Sequence, residues 1–200
     1  GVIAVCRKTS PALDDLGVRV EAGVDVADGA GVLDLARRLE GKPIEVLINN
    51  AGILEPQSLT DLDFELVKRQ FDINAVGPLR VTCALLPNLH RGSKVALITS
   101  RMGSIADNGS GGSYGYRMSK AALNMFMYTL SYETPKKGIT LTIVSPGMVN
   151  TTEDMKGMKL QPGTIEVDES VAKMLVVIDG LTPANNGQFL NYEDGRIIGW

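Results

Sequence analysis

Two hundred residues with a net charge of −3, 44% hydrophobic and 22% charged, are enough for one domain (residues 1–200) with a real core and give no sign of a second. The mildly acidic balance argues against a nucleic-acid or anionic-membrane surface, and no apolar run reaches the roughly 20 residues of a membrane span. A single histidine, His90, and two cysteines, Cys6 and Cys83, leave no easy His-dependent triad, zinc cluster or disulfide; two buried, reduced thiols fit a cytoplasmic protein.

Taken in order, apolar β-rich runs alternate with helical patterns. Gly1–Arg7 lacks the basic leader and long apolar core of a signal peptide. Within it, Val2–Cys6 is a continuous apolar run, as expected of a strand buried on both faces. Val18–Val20 is a second short strand. Gly29–Leu39 reads as a helix with Val32, Leu33, Leu35, Ala36 and Leu39 on its inner face. Glu45–Ile48 is a third buried strand, closed by the turn Asn49-Asn50-Ala51-Gly52. Thr60-Asp61-Leu62-Asp63 resembles a capping box and opens a helix through Phe64, Val67 and Phe71 toward Leu89. Strand Val95–Thr99 is followed by the Gly/Ser-rich loop Gly103–Ser113 and a helix containing Tyr116. Strand Ile139–Val144 leads into Ser145-Pro146-Gly147, and a helix around Glu169–Ile178 and a strand Gly187–Asn191 close the domain. This alternation predicts an α/β fold, a parallel sheet with helices on both faces, whose ligands bind beyond the carboxyl ends of the strands.

One pair stands out chemically. Tyr116 and Lys120, at i and i+4, share one helix face. A free phenol has a pKa of about 10, and a nearby ammonium favours the phenolate, bringing it toward the range useful for acid–base catalysis. Taken alone, the pair is more often a boundary tyrosine beside a solvated lysine. Its company decides otherwise: Asn49-Asn50-Ala51-Gly52, Ser100 after one strand and Pro146-Gly147 after the next form one ordered set.

That set resembles the short-chain dehydrogenase/reductase family, over essentially the whole chain. The ending Gly187-Gln188-Phe189-Leu190-Asn191-Tyr192, with Trp200, is most similar to C-factor-like and sniffer-like carbonyl reductases. The resemblance implies a Rossmann-type doubly wound parallel sheet and assigns the roles. Ser100 would donate a hydrogen bond to a substrate carbonyl, with Ser104 the competing serine or Ser100 a mere loop cap. Tyr116 would be the general acid or base. Lys120 would lower the tyrosine pKa and hold the nicotinamide ribose. Asn74, polar in the middle of an apolar helix, can open the helical ladder locally and would hold a water relaying protons to Lys120; the alternative is a simple kink at Gly77-Pro78.

The same resemblance implies a dinucleotide. Asn50, Ala51 and Gly52 would close a turn on its adenosine side, and Asp25 and Val26 would meet the adenine. Pro146, Gly147, Val149 and Thr151 would grip the nicotinamide carboxamide. NAD-preferring relatives place an acid at the position of Cys6; here Arg7 follows it, with Lys8 next, which favours NADP(H) over NAD(H) unless both cations are merely a solvated strand end.

The family's glycine-rich phosphate turn, with the strand before it and the helix after it, has no counterpart here. In the family sheet that strand lies centrally, between the strands that here would be Val2–Cys6 and Glu45–Ile48. Those two strands are therefore expected to face each other across a gap, and the natural chain to begin ~30 residues upstream, the length of a strand–turn–helix unit. Thr152–Pro162, with Met155, Met158 and Leu160, would form an apolar lid over the substrate. The expected activity is reduction of a small carbonyl compound, or oxidation of the alcohol, by a homodimer paired through the helices near Leu62 and Tyr116. The rival is a catalytically silent scaffold that binds nucleotide or signals. A serine hydrolase fails for want of a nucleophile elbow and a placed histidine.

Overall fold

The computed structural model describes residues 1–151 and 162–200. Most of the expected lid therefore lies outside the described residues. In chain order the main elements are β1 (Ile3–Val5), α1 (Pro11–Asp14), β2 (Arg19–Glu21), α2 (Gly29–Arg38), β3 (Ile44–Asn49), α3 (Phe64–Phe71), α4 (Gly77–Leu85), β4 (Leu89–Ile98), α5 (Tyr114–Leu130), β5 (Thr140–Ser145), β6 (Met148–Val149), β7 (Thr164–Ile165), α6 (Val167–Asp179) and β8 (Phe189–Asn191). Helix α1 and the small β6/β7 pair were not foreseen; both are too short to show a period.

Strands β3, β4, β5 and β8 form one parallel sheet in that order. Alternation along β4 divides the core. Val95 and Leu97 pack with Leu123 and Met127 of α5 on one face, while Ala96 and Ile98 pack with Ile178 of α6 on the other. Helices α2 and α4 bury Val32, Leu35, Val81 and Leu85 against β1 and β3. This is the Rossmann-type, doubly wound arrangement, with helices on both faces.

The sheet is interrupted where the sequence suggested. Among the described residues β1 pairs only with β2 and β3 only with β4, so β1 and β3 present open edges to each other. Val2 and Val5 are consequently exposed rather than buried, as are Val46 and Ile48 of β3. Their apolar runs are those of central strands, and what they lack here is neighbours.

Two local expectations need correction. Thr60 does not cap the third helix. Asp63 does, its carboxylate accepting from the amides of Glu65 and Leu66 at 2.8 and 3.2 Å. Thr60 instead bonds Ser58 through its hydroxyl. The run toward Leu89 is also not one helix: five residues, Asp72–Val76, form a π-turn between α3 and α4, and a 3₁₀ turn, Leu86–Asn88, ends it. Cys83 is exposed and Cys6 half-buried, so the thiols are free but not both buried.

Replacing Asp63 with Ala is expected to lower stability by about 1 kcal/mol, the usual worth of a helix cap, with Thr60→Ala nearly neutral. Urea unfolding of the two variants distinguishes the caps.

Candidate active site

The expected catalytic residues come from three elements that meet at the carboxyl end of the sheet. Ser100 follows the last residues of β4 and caps a 3₁₀ turn, Arg101–Gly103, its Oγ accepting from the Met102 amide at 3.2 Å. Ser104 is bonded differently. Its hydroxyl donates to the Gly199 carbonyl at 2.6 Å and accepts from the Asp107 amide at 3.0 Å, so it pins the loop to the chain's last residues.

Tyr116 and Lys120 lie one turn apart on α5, as their spacing predicts. Burial pushes the Tyr116 phenol above its ordinary value of 10.0, and hydrogen bonding with Ser100 works against that rise. The Lys120 nitrogen stands 5.8 Å from the centre of the tyrosine ring and donates to the Ile98 carbonyl at 2.9 Å. Its own pKa falls from 10.5 to about 8, because burial disfavours the ammonium.

Asn74 sits in the π-turn, and the opened ladder is what its polarity predicted. Its side chain bonds both a loop and a helix. Oδ1 accepts from the Ile53 amide at 2.8 Å, and Nδ2 donates to the Ile53 carbonyl and to Ser119 Oγ, each at 2.9 Å. Ser119 in turn donates to the Tyr116 carbonyl at 2.7 Å. The side chain thus ties the strand-end loop to the tyrosine helix.

Beside these residues a cavity of about 330 Å³ opens between the carboxyl ends of β1 and β3. Cys6, Arg7, Asp25, Val26, Asn50 and Gly52 are among its lining residues, so the structure gathers the expected adenosine-side set. Its floor is apolar, formed by side chains such as Leu35 and Leu85. Asp25 caps its own turn by accepting from the Ala27 amide at 2.9 Å, and Arg80 holds the Val26 carbonyl at 2.5 Å while bonding Asp72 at 3.1 Å. Gly52 keeps the inner end open: a Cβ there would lie 3.2 Å from Asn74 Oδ1 and 3.5 Å from Lys120 Nζ.

The second half of the expected set lies apart from this cavity. Pro146 accepts from Ser170 Oγ at 2.7 Å, and Gly147 has φ +82°, where a Cβ would collide with the Tyr192 ring at 2.6 Å. Val149 pairs with Ile165, and Thr151 is the last described residue before the gap in description. Ser119, Arg80, Thr99 and Asn124 were not singled out from the sequence. The one available signal was a polar residue recurring inside the apolar run of α5.

Comparison with known proteins agrees with this geometry. The short chain dehydrogenase family matches residues 7–161. The chain belongs to that family. It is therefore built as an oxidoreductase acting on CH–OH or C=O groups. Among its relatives, 1-hydroxy-2-glutathionyl-2-methyl-3-butene dehydrogenase of Rhodococcus sp. (strain AD45) is 38% identical, over 100% of this chain and 88% of the relative. C-signal of Myxococcus xanthus is 47% identical, over 79% and 93%. Among solved structures, NADPH-bound carbonyl reductase from chicken fatty liver superimposes with a TM-score of 0.87 at 30% identity, covering 100% of this chain and 87% of that one. Carbonyl reductase Sniffer of D. melanogaster gives 0.89 at 28% identity, covering 99% and 87%. No helix among the described residues is long and apolar enough to cross a membrane.

The buried ammonium makes a stability prediction. The unfolded chain keeps the Lys120 proton up to about 10.5 and the folded chain only up to about 8, so the unfolded state binds more protons between those values and stability rises with pH across that window. Lys120→Met removes the penalty, which is on the order of 3 kcal/mol from the shift. The variant is expected to gain stability relative to the native protein at pH 7, and the difference should shrink between pH 8 and 10.5. Denaturant midpoints over that range read this directly; a flat difference would mean that the folded protein hydrates the ammonium.

Proposed function

We propose that the protein is an NADP(H)-dependent oxidoreductase that reduces a small carbonyl compound to an alcohol, or runs the reverse reaction, with Tyr116 moving the proton. The observation that carries this reading is the convergence of Ser100 and the buried Tyr116 beside Lys120, itself buried against Ile98. Tyr116 donates its proton to the carbonyl oxygen, and Ser100 hydrogen-bonds the same oxygen as negative charge develops there. Burial that raises the phenol keeps it protonated at neutral pH, which suits the reducing direction. Lys120 and the Asn74–Ser119 link hold the tyrosine helix in register with the strand ends.

The cofactor supplies the hydride when bound. Asp25 and Val26 would hold its adenine, Asn50, Ala51 and Gly52 its adenosine side, Lys120 its nicotinamide ribose, and Pro146, Gly147, Val149 and Thr151 its carboxamide. Arg7, exposed at the cavity rim, would pair with a 2′-phosphate, which favours NADP(H) over NAD(H). The NADPH carried by the chicken reductase supports the same choice. Free Cys6 and Cys83 support a cytoplasmic setting. Exposed Phe64 and Phe71 on α3, with Met118 and Met125 on α5, support a homodimer through those helices.

One observation favours a second reading, a catalytically silent scaffold that signals: the 47% identity to C-signal. Calorimetry with NADPH and NADH separates the two, since neither binding would put the scaffold ahead. Arg7→Ala should weaken NADPH binding on the order of tenfold, the worth of one charge-assisted hydrogen bond, and leave NADH nearly unchanged. With a carbonyl substrate in hand, Tyr116→Phe should lower kcat about 10²–10⁴-fold, the usual contribution of general acid catalysis, at unchanged cofactor affinity. Reduction should be flat near neutrality and fall as pH climbs through the raised phenol value, while alcohol oxidation should rise over the same range.

A further inference from the structure

Ser100 and Tyr116 belong to different elements, one on a strand-end turn and one on a helix, yet both must reach a single oxygen within about 0.5 Å of the productive position. Something must set the distance between those elements. Backbone ladders do not, because the turn and α5 share none.

Asn124 lies one turn beyond Lys120 and two beyond Tyr116, on the same face of α5, and is 3% exposed. Its amide meets both ends of the segment that carries Ser100. Oδ1 accepts from Thr99 Oγ1 at 2.7 Å, on the near side of the serine, and Nδ2 donates to the Gly103 carbonyl at 3.2 Å, on the far side. Thr99 is itself 2% exposed and bonded to the sheet through its amide, which donates to the Val144 carbonyl at 3.0 Å. Gly103 completes the seat. A Cβ there would lie 2.8 Å from Lys120 Cβ and 2.9 Å from the Lys120 carbonyl carbon, so the turn rests directly on the helix backbone.

We propose that Asn124 is a positioning residue, whose single amide clamps the Thr99–Gly103 segment to α5 and so sets the approach of the Ser100 hydroxyl to the Tyr116 phenol. The inference rests on the reductase reading for its purpose but not for its geometry. A donor and an acceptor are needed at once and at one length. Leucine keeps the volume and supplies neither, and it leaves a buried carbonyl and a buried hydroxyl without their partner, each loss worth a nearly complete hydrogen bond. Lys120, the charged group beside the phenol, is anchored on Ile98 and is not contacted by the Asn124 amide.

The test needs no substrate. Ring-labelled tyrosine gives a ¹³C resonance for each phenol carbon, and the Tyr116 signal is the one lost in Tyr116→Phe. Removing the neighbouring hydroxyl in Ser100→Ala is expected to displace that signal at pH 7. Asn124→Leu and, separately, the milder Thr99→Val should reproduce most of the displacement. In a Ser100→Ala background the same substitutions should add little, because the clamp acts through the serine. A Tyr116 signal at its native position in a folded Thr99→Val protein would overturn the proposal, as would displacements that add to that of Ser100→Ala. Should Asn124→Leu fail to fold, Thr99→Val decides alone. Failure of the reductase reading leaves all these shifts intact, so the two ideas fail separately.

Discussion

A lysine ammonium buried beneath a helix has to be answered by something, and Lys120 is answered by the Ile98 carbonyl at the end of a central strand. Much of the site's arrangement follows from that contact. It requires α5 to lie close against the end of β4, which in turn requires a glycine at 103, where the following turn touches the helix backbone. Gly52 lies on the other side, where a Cβ would stand 3.2 Å from Asn74 Oδ1. The helix that brings Lys120 to this spot also brings Tyr116, Ser119 and Asn124, each polar or amphipathic on a helix whose Leu123 and Met127 are wholly buried in the sheet.

Two asparagines do the tying. Asn74 spans from the Ile53 backbone to Ser119, and Asn124 from Thr99 to Gly103, so the loops after β3 and β4 are each fastened to the same helix by one amide. An amide suits this work because it donates and accepts at a fixed separation without carrying a charge into the interior. The π-turn around Asn74 shows what such a commitment requires of the backbone: a polar side chain that leaves its own helix to bond elsewhere does so where the ladder has already opened. Arg80 extends the arrangement toward the cavity, joining Asp72 of that turn to the Val26 carbonyl.

The architecture was legible because it is written in local pattern. Continuous apolar runs marked the buried strands, a period of 3.6 marked α2, and a tyrosine and lysine four apart marked the face of α5 that turns inward. The helix cap was misassigned because Thr60 and Asp63 offer the same chemistry three residues apart, and only the course of the backbone selects between them. The exposure of Val5, Val46 and Ile48 could not be read from their types at all, since apolar residues report what a strand is suited to and not whether a neighbour covers it. The gap between β1 and β3 was expected, but from the resemblance and not from residue type. The resemblance to short-chain dehydrogenases named Ser100, Tyr116, Lys120 and Asn74, but not what each side chain bonds.

By itself the sequence determined the fold class, the order of the elements and the set of residues at the carboxyl ends of the strands, because these depend on short-range periodicity and on motifs whose spacing survives in one dimension. Only the tertiary structure decided that Lys120 donates to the Ile98 carbonyl, that Asn74 joins the Ile53 backbone to Ser119, and that Asn124 grips both sides of Ser100. Each of those is a choice among partners far apart in the chain, and a hydrogen bond of 3 Å between distant segments leaves no trace in the residues that lie between them.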